Sequence, residues 1–155
     1  MIRAMRPEDA EAMVDVILTA LRVTNAKDYD ADFLEGFARG FSAESILRRA
    51  AEGTHFYVAC EDARVVGCGA VAPCGERSGA CEIQTVFILP QYQGAGLGRR
   101  IVETLEADPL ARRARRVELS ASITAAGFYE RLGYRYKNGK SVLNETLGHP
   151  MEKLL

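Results

Sequence analysis

Residues 86–100 read VFILPQYQGAGLGRR, which predicts an apolar strand, a glycine-rich turn and the first turn of a helix. Gly94, Gly96 and Gly98 carry no Cβ atom, so the backbone can approach a ligand closely and adopt a positive φ. The helix that follows begins with backbone N–H groups that have no acceptor within the helix, and its dipole is positive at this end. Because Arg99 adds a further positive charge, the stretch predicts a cradle for a pyrophosphate.

The spacing of these glycines differs from two common nucleotide-binding motifs. The stretch has no lysine at the position required by GxxxxGK[ST], and Gly94, Gly96 and Gly98 form GxGxG rather than GxGxxG. A strand-to-helix turn that binds no ligand is the structural alternative. The apolar strand before the glycines and the amphipathic helix after them favour the cradle.

Composition indicates an ordinary globular protein. The chain has 155 residues, 48% apolar and 26% charged, and we expect one domain over residues 1–155. A net charge of −1 provides no general attraction to nucleic acid or to an anionic membrane. No apolar run approaches the ~20 residues that span a bilayer, and the N-terminus lacks a signal-peptide pattern. We therefore expect a cytoplasmic protein with no nucleic-acid or membrane partner.

The four cysteines do not predict a zinc site. Cys60, Cys68, Cys74 and Cys81 form no CxxC pair, and His55 is the only nearby histidine. Most of them lie in apparent strands, where a free cysteine behaves as a small apolar residue. We expect no metal.

Apolar periodicity predicts the element order strand, helices, three strands, helix, strand, helix and two strands. The predicted strands cover residues 2–5, 54–60, 65–72, 80–89, 117–119, 134–136 and 151–155. A polar, glycine-rich loop is predicted from Pro73 to Gly79. The order favours a mixed α/β fold with an antiparallel N-terminal half and parallel central strands, flanked by helices.

Capping residues delimit the predicted helices. One helix opens at Pro7, and another is capped by Ser42. The central helix ends at about Ala107, before Asp108-Pro109. The last helix is capped by Thr124 and closed by Gly133.

Three phenylalanines follow the first of these helices at a spacing of four. We predict a second helical region that carries Phe33, Phe37 and Phe41 on one face. Core packing is the preferred interpretation of that face, and the border of an acceptor cleft is the alternative.

Two segments resemble the GNAT superfamily of N-acetyltransferases. Residues 91–96, QYQGAG, match the acetyl-CoA motif Q/R-x-x-G-x-G/A, and residues 121–134 match a strand-to-helix block that ends in FYxxLGF/Y. The predicted element order agrees with this family over the whole chain, most strongly from Glu82 to Tyr134. The resemblance implies a mixed sheet whose parallel central strands are splayed around acetyl-CoA.

The resemblance also assigns contacts to acetyl-CoA. Backbone groups of Val86, Phe87 and Ile88 would pair with the pantetheine arm and polarise the thioester. The pyrophosphate would be held by the N–H groups of Gln93, Gly94, Ala95, Gly96, Leu97, Gly98 and Arg99. Ser122 occupies a position where family members often have an asparagine that contacts pantetheine, and Tyr129 one where the family has a tyrosine near the sulfur.

Acetyl transfer requires a neutral amine and a protonated leaving group. Tyr129 is the candidate acid, with aromatic packing as the alternative. Glu82 is the candidate base, directly or through water, because some family members carry a catalytic glutamate at this position of the long strand. Water alone and Glu118 on the neighbouring strand are the rivals.

The predicted activity is direct transfer of an acetyl group from acetyl-CoA to a primary amine of a small molecule, an amino acid or a peptide. A non-catalytic acyl-CoA-binding regulatory module is the alternative, and a homodimer is compatible with the sequence. Acidic residues are concentrated in residues 28–35, near the expected acceptor site, which indicates either a cationic amine or a solvated loop.

Overall fold

The computed structural model describes residues 1–75 and 79–155. Its strands are β1 (Ile2–Ala4), β2 (His55–Glu61), β3 (Arg64–Pro73), β4 (Cys81–Ile88), β5 (Arg116–Ser122), β6 (Arg135–Tyr136) and β7 (Gly148–Leu154). Its helices are α1 (Ala10–Val23), α2 (Ala31–Ala38), α3 (Ala43–Ala51), α4 (Leu97–Glu106), α5 (Pro109–Ala114) and α6 (Ala126–Arg131). None of these helices is long and apolar enough to cross a membrane.

The strands form one mixed sheet in the order β1-β2-β3-β4-β5-β7-β6. Strands β1 to β4 are antiparallel neighbours, and β4 and β5 form the parallel pair. Helices α1 and α4 both pack on β3, and residues 65–72 of that strand are buried throughout. The predicted mixed sheet with an antiparallel N-terminal half, parallel central strands and flanking helices is confirmed.

Strands β4 and β5 diverge soon after they begin. They pair only at Cys81–Val117 and Glu82–Glu118, although β4 remains paired with β3 as far as Ile88. Strand β5 likewise remains paired with β7 over its whole length. The divergence therefore opens a gap between the two central strands, and residues 83–88 of β4 face this gap along an unpaired backbone edge.

Helix boundaries agree with the predicted caps at Ser42 and Gly133. The Ser42 hydroxyl accepts from the Ser45 N–H at 3.0 Å and begins α3. Gly133 has φ +96° immediately after the last turn of α6, a conformation that favours glycine at this position.

The predicted cap at Thr124 is wrong. Helix α6 begins at Ala126, and the Ser122 hydroxyl accepts from the Ala125 N–H at 3.1 Å. Serine therefore satisfies a donor at this turn, and the Thr124 hydroxyl is buried with no hydrogen-bond partner among the described residues.

Two further boundaries differ from prediction. Helix α2 ends at Ala38 and Gly40 follows, so Phe41 lies outside the helix that was predicted to carry it. Strand β3 extends through Pro73, one position beyond the predicted end at Ala72, so Pro73 belongs to the strand and not to the predicted loop. Residues 76–78 of the predicted loop from Pro73 to Gly79 lie outside the described residues.

The predicted break after α4 depends on a buried carboxylate. Asp108, only 2% exposed, accepts from the Leu110 N–H at 2.8 Å and so caps α5. It also accepts from the Tyr57 hydroxyl at 2.6 Å and lies 2.9 Å from His55 Nδ1. The carboxylate thus connects the helix break to β2.

We expect Asp108→Asn to lower the free energy of unfolding at pH 7 by about 1.5–3 kcal/mol, the range for hydrogen bonds to a charged group. Burial acts to raise the pKa of Asp108, but hydrogen bonds from Tyr57, Leu110 and His55 outweigh it and hold the pKa below its usual value. The ionised carboxylate therefore stabilises the fold above about pH 4, and this contribution is lost as the pH falls through the lowered pKa.

Urea denaturation at a series of pH values tests this expectation. The deficit of Asp108→Asn should shrink on acidification, and Asp32→Asn on the exposed side of α2 should show no comparable deficit. A deficit that stays constant down to pH 3 would contradict the assigned role of the ionised form.

Candidate active site

A cavity of about 630 Å³ occupies the gap between β4 and β5. Its walls come from β4, β5, the glycine-rich loop, α6 and the α1–α2 region. Most residues that sequence analysis assigned to acetyl-CoA line it: Val86, Phe87, Ile88, Gln93, Gly94, Gly96, Gly98, Arg99, Ser122 and Tyr129. Ala95, Leu97 and Glu82 do not belong to the lining.

The glycine-rich loop presents a row of unpaired donors to this cavity. Gly94 and Gly96 both have φ +82°, and a Cβ atom at either position would meet no atom within 4 Å. The N–H groups of residues 94–99 donate to no acceptor in the parts of the chain that the structure describes. Unpaired N–H groups at a helix N-terminus are donors for an anion, so this loop fits a pyrophosphate.

Three other residues of this stretch, Ala95, Leu97 and Gly98, have no polar side chain that could bind an anion. A Cβ atom at Gly98 would lie 3.1 Å from Ile88 Cδ1 and 3.1 Å from the Phe128 ring, so glycine allows α4 to pack closely there. Leu97 is buried in the core, and Ala95 is exposed. Both can contribute only backbone groups to a bound anion.

The side chains of Gln93 and Arg99 are held by residues at the end of α1 and in α4. The Gln93 amide donates to the Thr24 hydroxyl at 2.9 Å, which connects the loop to the end of α1. Arg99 forms an exposed ion pair with Glu103 at 2.9 Å, one helical turn away. The ion pair therefore holds the Arg99 side chain beside the cavity that it lines.

A kink in β4 directs its second half along the cavity. The register with β3 shifts between Cys68 and Ala70, and Thr85 has φ +57°. A positive φ is strained for a β-branched residue, and such strain persists only where surrounding contacts hold it. The Cys68 thiol donates to the Thr85 carbonyl at 3.4 Å, which is one such contact.

Arg49 of α3 supplies the other contacts to this kink. Its guanidinium donates to the Thr85 hydroxyl at 3.1 Å and to the Gln84 side-chain oxygen. It also lies over the Phe56 ring, 5.0 Å from the centroid. No local sequence pattern indicates a role for Arg49, Gln84 and Thr85, since only the bulge brings them together.

The buried side chain of Tyr129 lines the cavity. The residue is 7% exposed, and its ring packs edge-to-face on Phe128 and on Tyr134. Within residues 1–75 and 79–155, no group hydrogen bonds its hydroxyl. Burial raises the pKa of Tyr129 above its usual value, so the phenol remains a proton donor at neutral pH.

Glu82 lies where β4 and β5 are still paired, before the gap opens. It is half-buried, its register neighbour on β5 is Glu118, and it does not line the cavity. Glu118 is engaged by Lys137 at 3.0 Å and by Arg116 at 3.5 Å. The role of Glu82 as a base stays a prediction, and no carboxylate belongs to the described lining.

Phe33 and Phe41 are partly buried and pack against the core, as predicted, but they also line the cavity. Phe37 lines the cavity as well and is 39% exposed, so it does not pack in the core. The acceptor-cleft alternative is therefore the better description of Phe37, and both descriptions apply to Phe33 and Phe41. Asp30 caps the start of helix α2 and accepts from the Phe33 N–H at 2.8 Å.

The described residues contain no group of three or more His, Cys, Asp or Glu that could hold a metal ion. All four cysteines are free thiols. Burial raises the pKa of Cys68 to about 12 and that of Cys81 to about 11, so both are protonated at neutral pH. Neither is available as a thiolate ligand or nucleophile.

Comparison with known proteins gives the same family. Residues 25–155 match the acetyltransferase (GNAT) domain. An uncharacterized N-acetyltransferase of Chlorobaculum tepidum is 29% identical over 119 residues, which are 73% of this chain and 74% of the relative. Among solved structures, the PaiA N-acetyltransferase of Thermoplasma acidophilum in complex with coenzyme A has a TM-score of 0.85 at 18% identity, covering 100% of this chain and 98% of that one.

A GNAT acetyltransferase of Brucella melitensis in complex with acetyl-CoA has a TM-score of 0.68 at 24% identity, covering 100% of this chain and 87% of the other. These structures share the fold, and the domain match covers most of the sequence. The chain therefore belongs to the GNAT family and is an acetyltransferase.

Proposed function

We propose that this chain transfers an acetyl group from acetyl-CoA to a primary amine by direct attack. The observation that carries the proposal is the set of unpaired N–H groups at residues 94–99 on the same cavity as the free edge of β4 and the Tyr129 phenol. Binding of acetyl-CoA requires hydrogen-bond donors for the pyrophosphate and an unpaired strand edge for the pantetheine arm. Acetyl transfer from the thioester also benefits from a protonated acid beside the sulfur.

Each part of the cavity has an assigned role. The loop N–H groups bind the pyrophosphate, and the backbone of Val86, Phe87 and Ile88 pairs with the pantetheine arm and orients the thioester carbonyl. The amine nitrogen attacks the carbonyl carbon, and the carbon–sulfur bond breaks as Tyr129 supplies a proton to the sulfur. The amine proton leaves to water, and a proton from water restores the Tyr129 phenol, so the products are the amide and CoA thiol.

Ser122 has a smaller role in this proposal than the asparagine it replaces in the family. Its hydroxyl already accepts from the Ala125 N–H, at 3.1 Å. One remaining lone pair and its own proton are left for the pantetheine arm. We therefore assign most of the hold on this arm to the β4 edge.

The rival function is a non-catalytic acyl-CoA-binding module. Thiol release from acetyl-CoA, measured with a panel of amines, amino acids and peptides, separates the two. We expect amine-dependent release together with acetylated product by mass spectrometry. Acetyl-CoA binding by calorimetry without amine-dependent release would support the rival.

We expect Glu82→Gln to lower kcat by about fivefold and to leave acetyl-CoA affinity unchanged. This loss is smaller than the rate contribution of about 10²–10⁴-fold that an acid–base group in contact with its substrate makes. The reason is that a base outside the cavity lining must act through water. Glu118→Gln tests the rival base on the paired strand in the same assay. A pH–rate profile identical to wild type in Glu82→Gln would leave water, or Glu118, as the base.

A further inference from the structure

Aromatic rings form a continuous row along one wall of the cavity. The members of this aromatic row are Tyr29, Phe33, Phe37, Phe41 and Phe87, and all of them line the cavity. The first three rings are stacked, with centroids 5.1 and 6.1 Å apart and interplanar angles of 15° and 18°. The last two contacts are edge-to-face, at 5.5 and 5.8 Å. The row thus ends at β4, at a residue assigned to the thioester.

The outer end of the aromatic row is anchored to the opposite side of the fold. The Tyr29 hydroxyl donates to the Leu147 carbonyl at 2.7 Å and accepts from the Ile123 N–H at 2.8 Å. These bonds connect the α1–α2 connection to the segments before β7 and after β5. A rigid aromatic surface loses little conformational freedom when it binds a ligand.

The charge of the cavity lining disfavours an acceptor that carries a second ammonium group. No aspartate or glutamate occurs in the described lining, whose charged members are Arg99 and Arg131. Of the acidic residues near α2, Asp30 caps the helix, Glu35 pairs with Arg22 at 3.3 Å, and neither Asp28 nor Asp32 lines the cavity. A second ammonium group on the acceptor would be desolvated here without a partner.

We propose that the acceptor is a primary amine attached to a planar apolar group that packs on the aromatic row. The inference rests on the proposed function and specifies its substrate class. Offset or edge-to-face packing on the row would orient the ring, and the nitrogen would lie toward Phe87 and the thioester carbon. An apolar wall disfavours the ammonium form, so it also favours the neutral amine that attacks.

A matched set of amines tests this substrate class. We would measure thiol release from acetyl-CoA with 2-phenylethylamine, 2-cyclohexylethylamine and 1,4-diaminobutane. We expect kcat/KM for the phenyl amine to exceed kcat/KM for the diamine by about 20-fold or more. We also expect it to exceed kcat/KM for the cyclohexyl amine, by a smaller factor. The ratio of the phenyl amine to the diamine measures the cost of an unpaired second charge. The ratio of the phenyl amine to the cyclohexyl amine measures the preference for a planar ring.

Phe37→Ala tests the aromatic row itself. We expect kcat/KM for 2-phenylethylamine to fall by about fivefold with acetyl-CoA affinity unchanged, because the ring loses a stacking partner. Leu47→Ala is the matched control, since Leu47 is similarly exposed, at 38% against 39%, but lies on α3 outside the cavity lining. It should leave every rate unchanged.

The possible failures are distinguishable. A preference for the diamine, or equal effects of Phe37→Ala and Leu47→Ala on the phenyl amine, would overturn the substrate class and leave amine acetylation standing. If acetyl-CoA binds by calorimetry but no amine releases thiol, the proposed function is overturned, and this inference with it.

Discussion

Tyr129→Phe is expected to lower kcat by about 10² to 10³, within the lower part of the range for a general acid. The substitution keeps the buried ring and removes only the hydroxyl. Burial keeps that hydroxyl protonated by raising its pKa, whereas a thiolate with a pKa near 8.5 is a moderate leaving group without help. Proton donation should therefore accelerate the reaction substantially, although a slower route through water remains.

The melting temperature separates this role from a structural one. Within the described residues, the Tyr129 hydroxyl has no hydrogen-bond partner, so its removal leaves no buried group unsatisfied and stability should hold. Tyr134→Phe is the matched control, because its buried hydroxyl donates to Glu106 at 2.8 Å but does not reach the cavity. This control should lose stability and keep its kcat.

Two results would contradict the assignment of Tyr129. Full activity in Tyr129→Phe would make the residue a packing aromatic, as the sequence alternative has it. A large drop in melting temperature would instead indicate a buried structural hydrogen bond. Measuring kcat and melting temperature on the same preparations of both variants distinguishes these outcomes.

The elements that sequence predicted well are those set by local chemistry. The spacing of Gly94 and Gly96 fixes a turn that needs positive φ, and Ser42 caps α3 through a bond to a residue three positions away. Period-two and helical patterns located the strands and most helices for the same reason. The predicted contacts to acetyl-CoA follow the same segments, so most of them line one cavity.

The features that sequence missed depend on contacts between distant residues. The bond from Arg49 to Thr85 spans 36 positions, and the bond from Tyr29 to Leu147 spans 118. No local pattern indicates that α3 would stabilise a bulge in β4, or that a loop tyrosine would connect two walls. Phe37 was misjudged for a related reason, because a stripe at helical spacing does not reveal whether it faces a core or a cavity.

Gly96→Val is expected to weaken acetyl-CoA binding by about 10- to 150-fold. At φ +82° a β-branched side chain is strained, and relief of that strain would turn neighbouring N–H groups away from the pyrophosphate. Loss of one hydrogen bond to a charged group is worth about 1.5–3 kcal/mol, which corresponds to this range. Calorimetry with acetyl-CoA measures the effect directly.

Gly139→Val separates loss of the cradle from general backbone strain. Gly139 also has a positive φ, +69°, and open space around its Cβ position, but it lies outside the cavity lining. Both variants should therefore lose some stability through strain, and only Gly96→Val should lose affinity. Equal affinity for acetyl-CoA in the two folded variants would mean that the pyrophosphate binds elsewhere than at residues 94–99.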